Sequence, residues 1–124
     1  MSKSGFTIYA YDACDTCRKA RKWLDAHGIA HEVVPIVEKP PSRAMLSKLV
    51  KASGLPAHKW FNTSGQSYRA LVASLGKPKV AALGEDEVLE LLAKDGKLIK
   101  RPVLVAGDKV LVGFRPEQYD DLKG

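Results

Sequence analysis

Ile8-Tyr9-Ala10-Tyr11-Asp12-Ala13-Cys14-Asp15-Thr16-Cys17-Arg18-Lys19-Ala20 runs from a strand pattern into a helix pattern through a pair of cysteines. Residues 6–10 (Phe-Thr-Ile-Tyr-Ala) are mostly β-branched or aromatic and precede a turn signal, which predicts a buried strand. Beyond the cysteines, Ala20, Trp23, Leu24 and His27 recur at i, i+3, i+4 and i+7. That spacing is one face of a helix over residues 15–27, and Gly28 ends it. Ile29 to Val37 reads as a second strand. A β-α-β order with so short a return predicts parallel pairing through a right-handed crossover.

Downstream, Ser42 is an expected N-cap after Pro40-Pro41, with Met45, Leu46, Leu49 and Val50 as the apolar stripe of a helix that Gly54-Leu55-Pro56 stops. Residues 57–83 read as short helical pieces broken by Gly65, Gly76 and Pro78. A clearer helix spans Glu85 to Lys94, with Val88, Leu89, Leu91 and Leu92 facing inward. Two β-rich runs, 101–106 and 109–113, are joined by Gly107-Asp108, a hairpin signal, and a short helix from Pro116 to Leu122 follows. The expected fold class is therefore α/β. It is a thioredoxin-like layout with a small mixed sheet, βαβ plus a C-terminal hairpin, and a helical insertion at about 41–95. No linker, repeat or low-complexity segment interrupts the pattern, so residues 1–124 are expected to form one domain.

A chain of 124 residues with 45% hydrophobic residues can bury a core without help from disulfides or a metal. No apolar run approaches the ~20 residues of a membrane helix, and Met1-Ser2-Lys3-Ser4-Gly5 leads straight into the first strand with no secretory pattern. The expected location is cytoplasmic, away from membranes. The net charge of +6 favours anionic partners without choosing among them. Arg18-Lys19-Arg21-Lys22 is a dense basic run, but a solvated helix face explains it, so no direct DNA binding is expected.

The chain has two cysteines, three positions apart, too few for the framework of a secreted domain. A C-x-x-C pair in a cytosolic chain is redox-active or metal-binding. Zinc would need His27 and His31 as further ligands. The Cys-to-His gap is short and Gly28 breaks the helix that would align the two histidines, so no metal is expected. Cys14 falls at the helix start, where free backbone N–H groups and the positive end of the dipole stabilise a thiolate. Arg18 and Lys19 add positive charge nearby, and Asp15 opposes them. Cys17, one turn further on and more covered, suits a resolving thiol that attacks the mixed disulfide formed by Cys14. Two inert buried cysteines remain the plain alternative.

The opening stretch resembles the arsenate reductase/Spx-type family. Trp60-Phe61-Asn62-Thr63-Ser64-Gly65-Gln66-Ser67-Tyr68-Arg69, Leu98 to Val105, and Leu111-Val112-Gly113-Phe114-Arg115-Pro116 continue the resemblance in the family's order. The resemblance implies a thioredoxin-like fold with a helical insertion. It implies an attacking cysteine at Cys14, with glutathione and glutaredoxin, or thioredoxin, as electron donors, and no bound cofactor. It also implies oxyanion-binding arginines at Arg101 and Arg115, and a cis proline at Pro102 beside the site. Guanidinium groups present paired donors to an anion, which gives the two arginines a physical role.

The chain departs from the reductase pattern at three places. Asn62 stands near the position of a third arginine, Ala10 stands four residues before Cys14 where a histidine would be, and Cys17 replaces a serine. Cys14 with Cys17 is similar to the Spx-type regulators, in which a disulfide is a switch and the partner is RNA polymerase. Asp15-Thr16 and the Leu-Val-Gly-Phe-Arg-Pro ending look closer to a further branch associated with glutathione-linked thiol reduction. Two expectations follow. One is a thiol-dependent reductase acting on a small anionic or thiol substrate, with Arg101, Arg115 and Asn62 binding it and Thr16, Arg18 and Pro102 shaping the site. The other is a redox-switched regulator that binds RNA polymerase.

Overall fold

A computed structural model describes residues 6–11 and 13–123; Asp12, inside the cysteine stretch, and the leading Met1–Gly5 lie outside the described residues. Strand β1 (Phe6–Ala10) is followed by helix α1 (Asp15–Ala26) and strand β2 (Glu32–Pro35). Helices α2 (Arg43–Ser53), α3 (Gln66–Leu75), α4 (Lys77–Ala81) and α5 (Glu85–Lys94) come next, and then strands β3 (Val103–Ala106) and β4 (Lys109–Val112) and helix α6 (Pro116–Tyr119). Single 3₁₀ turns occupy Ala57–Trp60, Gly96–Leu98 and Asp120–Lys123. The sheet is four-stranded in the order β2-β1-β3-β4, with β1 parallel to β2 and both other pairings antiparallel.

Alternation along the strands sorts side chains between two cores. Ile8 and Ala10 of β1 and Leu104 of β3 point to one face, where they pack with Cys17, Ala20 and Leu24 of α1 and with Tyr119 of α6. Tyr9, Val103, Val105, Val110 and Val112 point to the other face. There they meet Leu46, Leu49 and Val50 of α2, Val88, Leu89 and Leu92 of α5, and Trp60, Phe61 and Ile99 from the connecting segments. Each fully buried side chain of this size contributes about 1.5–3 kcal/mol relative to exposure. The insertion α2–α5 therefore supplies most of the second layer.

Local chemistry sets the helix ends. Ser42 Oγ accepts from Met45 N at 3.1 Å to start α2, which stops at Gly54 in a left-handed conformation. Helix α5 opens with Glu85, Asp86 and Glu87, and Gly84 N donates to Glu87 Oε1 at 2.9 Å. Arg43 ties the two helices together through Asp86 and Glu90, both at 2.9 Å.

Several expectations need correction. The second strand is Glu32–Pro35, shorter than 29–37, because Ile29 N closes the end of α1 on Leu24 O and His31 Nδ1 meets Ile29 O. His27 is exposed and stacks on Trp23 at 4.0 Å, so it lies outside the inward face of α1. Met45 is 42% exposed and not part of the α2 stripe, and Leu91 is half-buried. Pro78 does not break a helix; it sits in the first turn of α4, where its missing N–H costs nothing.

Candidate active site

Topology brings three chain segments to one end of the sheet. Cys14 follows the C-terminal end of β1, and residues 101–102 precede the N-terminal end of the antiparallel β3. Residues 113–115 follow the C-terminal end of β4, which runs antiparallel to β3. In register Tyr9 faces Val103 and Val103 faces Val112, so all three connections leave the sheet at the same edge. A fourth segment joins them. Phe61 bridges Ile99, Lys100 N donates to Trp60 O, and Asn62 N donates to Leu98 O, the latter two at 2.7 Å. This pairing holds residues 60–62 beside residues 98–100.

Cys14 is the N-cap of α1, in extended conformation, and its Sγ accepts a hydrogen bond from Cys17 N at 3.3 Å. That contact is the helix-start stabilisation expected from its position. Cys14 is partly exposed, whereas Cys17 has no exposed surface. Both are free thiols. Burial, and next a hydrogen bond with the Cys14 thiol, push the Cys17 thiol up to about 12; the nearby Arg101 charge acts against them. Behind Cys17, Tyr119 is fully buried, edge-on to Trp23 and Phe114, and its hydroxyl has no hydrogen-bond partner among the described residues. Burial, followed by the neighbouring Cys17, raises the Tyr119 phenol above its ordinary value.

An open cavity of about 340 Å³ lies over Cys14. Thr16, Asn62, Arg101 and Arg115 line it together with Cys14, which gathers the residues that the sequence singled out from four distant segments. The Arg101–Pro102 peptide is cis, as the resemblance implies. The Arg101 guanidinium sits 4.9 Å from the centre of the Tyr11 ring, and its buried Nη1 has no hydrogen-bond partner among the described residues.

Neither Arg18 nor Pro102 is among the residues lining the cavity; Arg18, one residue after Cys17, is exposed and paired with Asp15, and Pro102 is buried. Two cavity residues, Ser64 and Lys100, were not picked out from sequence. Both lie inside the stretches that carried the family resemblance, and Lys100 directly precedes Arg101; the bridge between residues 61 and 99 is what turns them to the cavity. No group of three or more His, Cys, Asp or Glu among the described residues is placed to hold a metal ion. His27 and His31 are engaged with Trp23 and with Ile29 O respectively.

A partly exposed thiol, a covered thiol one turn away, and cationic and neutral side chains thus meet at one cavity. The ArsC family model matches residues 9–122. The chain belongs to the ArsC family. Within and around that family it is 50% identical over 115 residues to the uncharacterized protein YusI of Bacillus subtilis, covering 93% of this chain and 95% of that one. The regulatory protein MgsR of Bacillus subtilis is 31% identical, over 89% of this chain and 83% of its own. The global transcriptional regulator Spx of Streptococcus mutans is 24% identical, over 90% and 78%. Among solved structures, an ArsC family related protein from Bacteroides fragilis superposes with a TM-score of 0.88 at 42% identity, covering 94% of this chain and 96% of that one. A structure described as a possible arsenate reductase from Streptococcus mutans gives 0.84 at 42% identity, over 98% and 99%. These ArsC neighbours share the thioredoxin-like fold. Among the described residues no helix is long and apolar enough to cross a membrane.

Proposed function

We propose that the protein is a thiol-dependent reductase in which Cys14 attacks a small anionic oxyanion or disulfide substrate and Cys17 resolves the product. The observation that carries this reading is the convergence of Cys14, Arg101, Arg115 and Asn62 on one cavity, with Arg101 Nη1 buried and lacking an acceptor. On a disulfide, the Cys14 thiolate forms a mixed disulfide and expels the first thiolate. Cys17 then gives up its proton, attacks Cys14 Sγ and expels the second, leaving a Cys14–Cys17 disulfide. Two electrons from glutathione, glutaredoxin or thioredoxin restore the dithiol. The difference between the two thiols supports this division of roles. Cys14 is reachable and accepts a helix-start N–H, while Cys17 is covered and held as the protonated thiol at neutral pH.

The likeness to MgsR, a regulatory protein, favours a second reading. In it the same disulfide forms once, alters the start of α1 and changes a surface presented to RNA polymerase.

The deciding experiment follows NADPH consumption with glutathione and glutaredoxin, or with thioredoxin and its reductase. Arsenate and a small disulfide are the two substrates, offered to the native chain, Cys14→Ser and Cys17→Ser. The reductase reading expects multiple turnovers that Cys14→Ser abolishes. Absence of turnover with either substrate, combined with a single Cys14–Cys17 disulfide formed by peroxide, would discard it in favour of the regulator.

A further inference from the structure

Lys100 lines the cavity over Cys14, next to Arg101 in the chain, and Asn62 lines the same cavity. Its backbone is fixed by donation to Trp60 O at 2.7 Å. Its side chain is placed as well. Gly113 adopts φ 80°, and Lys100 Cε lies 3.6 Å from where a Cβ on Gly113 would stand. The aliphatic stem therefore crosses the turn after β4 and carries the ammonium to the cavity. Among the described residues no Asp or Glu lines that cavity, and Asp15, next to Cys14 in the chain, is paired with Arg18. Lys100, Arg101 and Arg115 thus surround the thiol with positive charge, while Asn62 and Ser64 supply neutral donors.

We propose that Lys100 is a specificity-determining residue of this site, supplying the third positive charge that Asn62 lacks and selecting reactants with an anionic group next to the atom that Cys14 attacks. This rests on the anion-binding reading of the cavity. A lysine contributes a mobile point charge, in contrast to the fixed fork of an arginine. The site then attracts compact anions without demanding one planar geometry. Charge carried on a flexible stem also suits a cavity of about 340 Å³, which is far roomier than a single water needs at about 30 Å³.

The test compares the rates at which Cys14 is alkylated by iodoacetate and by iodoacetamide. In each the thiolate displaces iodide to form an S–C bond, and the reagents differ in charge. Peptide mass mapping assigns the product to Cys14. The ratio of the two rates isolates recognition of the anion, because the neutral reagent reports folding and intrinsic reactivity. Lys100→Gln is expected to lower the iodoacetate-to-iodoacetamide ratio about threefold, the size of one solvent-screened charge interaction. Lys100→Arg restores it, and high salt shrinks the native ratio toward that of the variant. An unchanged ratio in Lys100→Gln, or an equal fall in both rates, would overturn the proposal. Arg101→Gln separates this failure from that of the parent reading: if its ratio also stays at the native value, the cavity is not an anion site at all.

Discussion

The face of the sheet under α1 and α6 carries Cys17 and Tyr119, whereas the face under α2 and α5 carries Trp60 and Phe61. Both are sealed from solvent, yet their polar atoms are treated differently. Trp60 Nε1 donates to Ser53 Oγ at 3.2 Å, and Ser53 in turn donates to Val50 O at 2.7 Å. Tyr119 buries its hydroxyl against the thiol layer with no partner among the described residues. The insertion face is the larger core, and its Trp60 indole N–H has a partner. The thiol face is smaller, and Cys14 packs at its margin. Under the proposed function, stability rests mainly on the insertion face and reactivity on the thiol face, and substitutions should separate them.

Trp60→Ala should have the largest effect, lowering unfolding free energy by about 3–5 kcal/mol, read by urea denaturation. If the comparison holds, iodoacetamide reactivity of Cys14 in the molecules still folded stays near native. A loss confined to reactivity would break it. Arg101→Gln is the converse case. We expect kcat/KM on any substrate that turns over to fall about 10²–10³-fold, the cost of removing one preorganised donor to developing charge. The denaturation midpoint should shift far less than in Trp60→Ala, since Arg101 lines the cavity and lies outside both hydrophobic clusters.

The next effect concerns pH. The Cys17 thiol lies near 12 in the folded chain against an ordinary 9.0, so the folded state resists its ionisation. Stability on this account is fully present below about pH 9 and is lost as pH rises toward 12. The loss should grow steadily between those two pH values. Subtracting the denaturation curves of Cys17→Ala from those of the reduced native protein isolates this share from other alkaline titrations. Identical pH profiles would show that the buried thiol is not held protonated. The smallest effect sharpens the contrast in polar atoms: Tyr119→Phe removes an unpartnered buried hydroxyl and should raise stability by about 1 kcal/mol, measured by the same denaturation.

Much of the fold was legible because its signals are local. The i, i+3, i+4 spacing of Ala20, Trp23 and Leu24, the Ser42 cap and the Gly107-Asp108 link each act within a few residues. His27 misled because periodicity cannot tell a buried ring from one stacked on its neighbour's exposed side. The short β2 escaped because Ile29 and His31 are apolar or ambiguous in sequence while their backbone closes the end of α1. Within the candidate site, Cys14, Cys17, Arg101, Arg115 and Asn62 were named from motifs, but Ser64 and Lys100 were not.

The sequence by itself determined the order of elements, the placement of Cys14 at a helix start and the membership of the family, since these depend on residue type at short spacing. Tertiary structure alone decided that Cys17 is buried in one cluster with Tyr119, that Arg101 lines a cavity together with Cys14, and that Lys100 and Ser64 share it. Those facts arise from the antiparallel return of β3 and β4 and from the bridge between Phe61 and Ile99. Such pairings join residues tens of positions apart, and their geometry exists only once the chain has closed on itself.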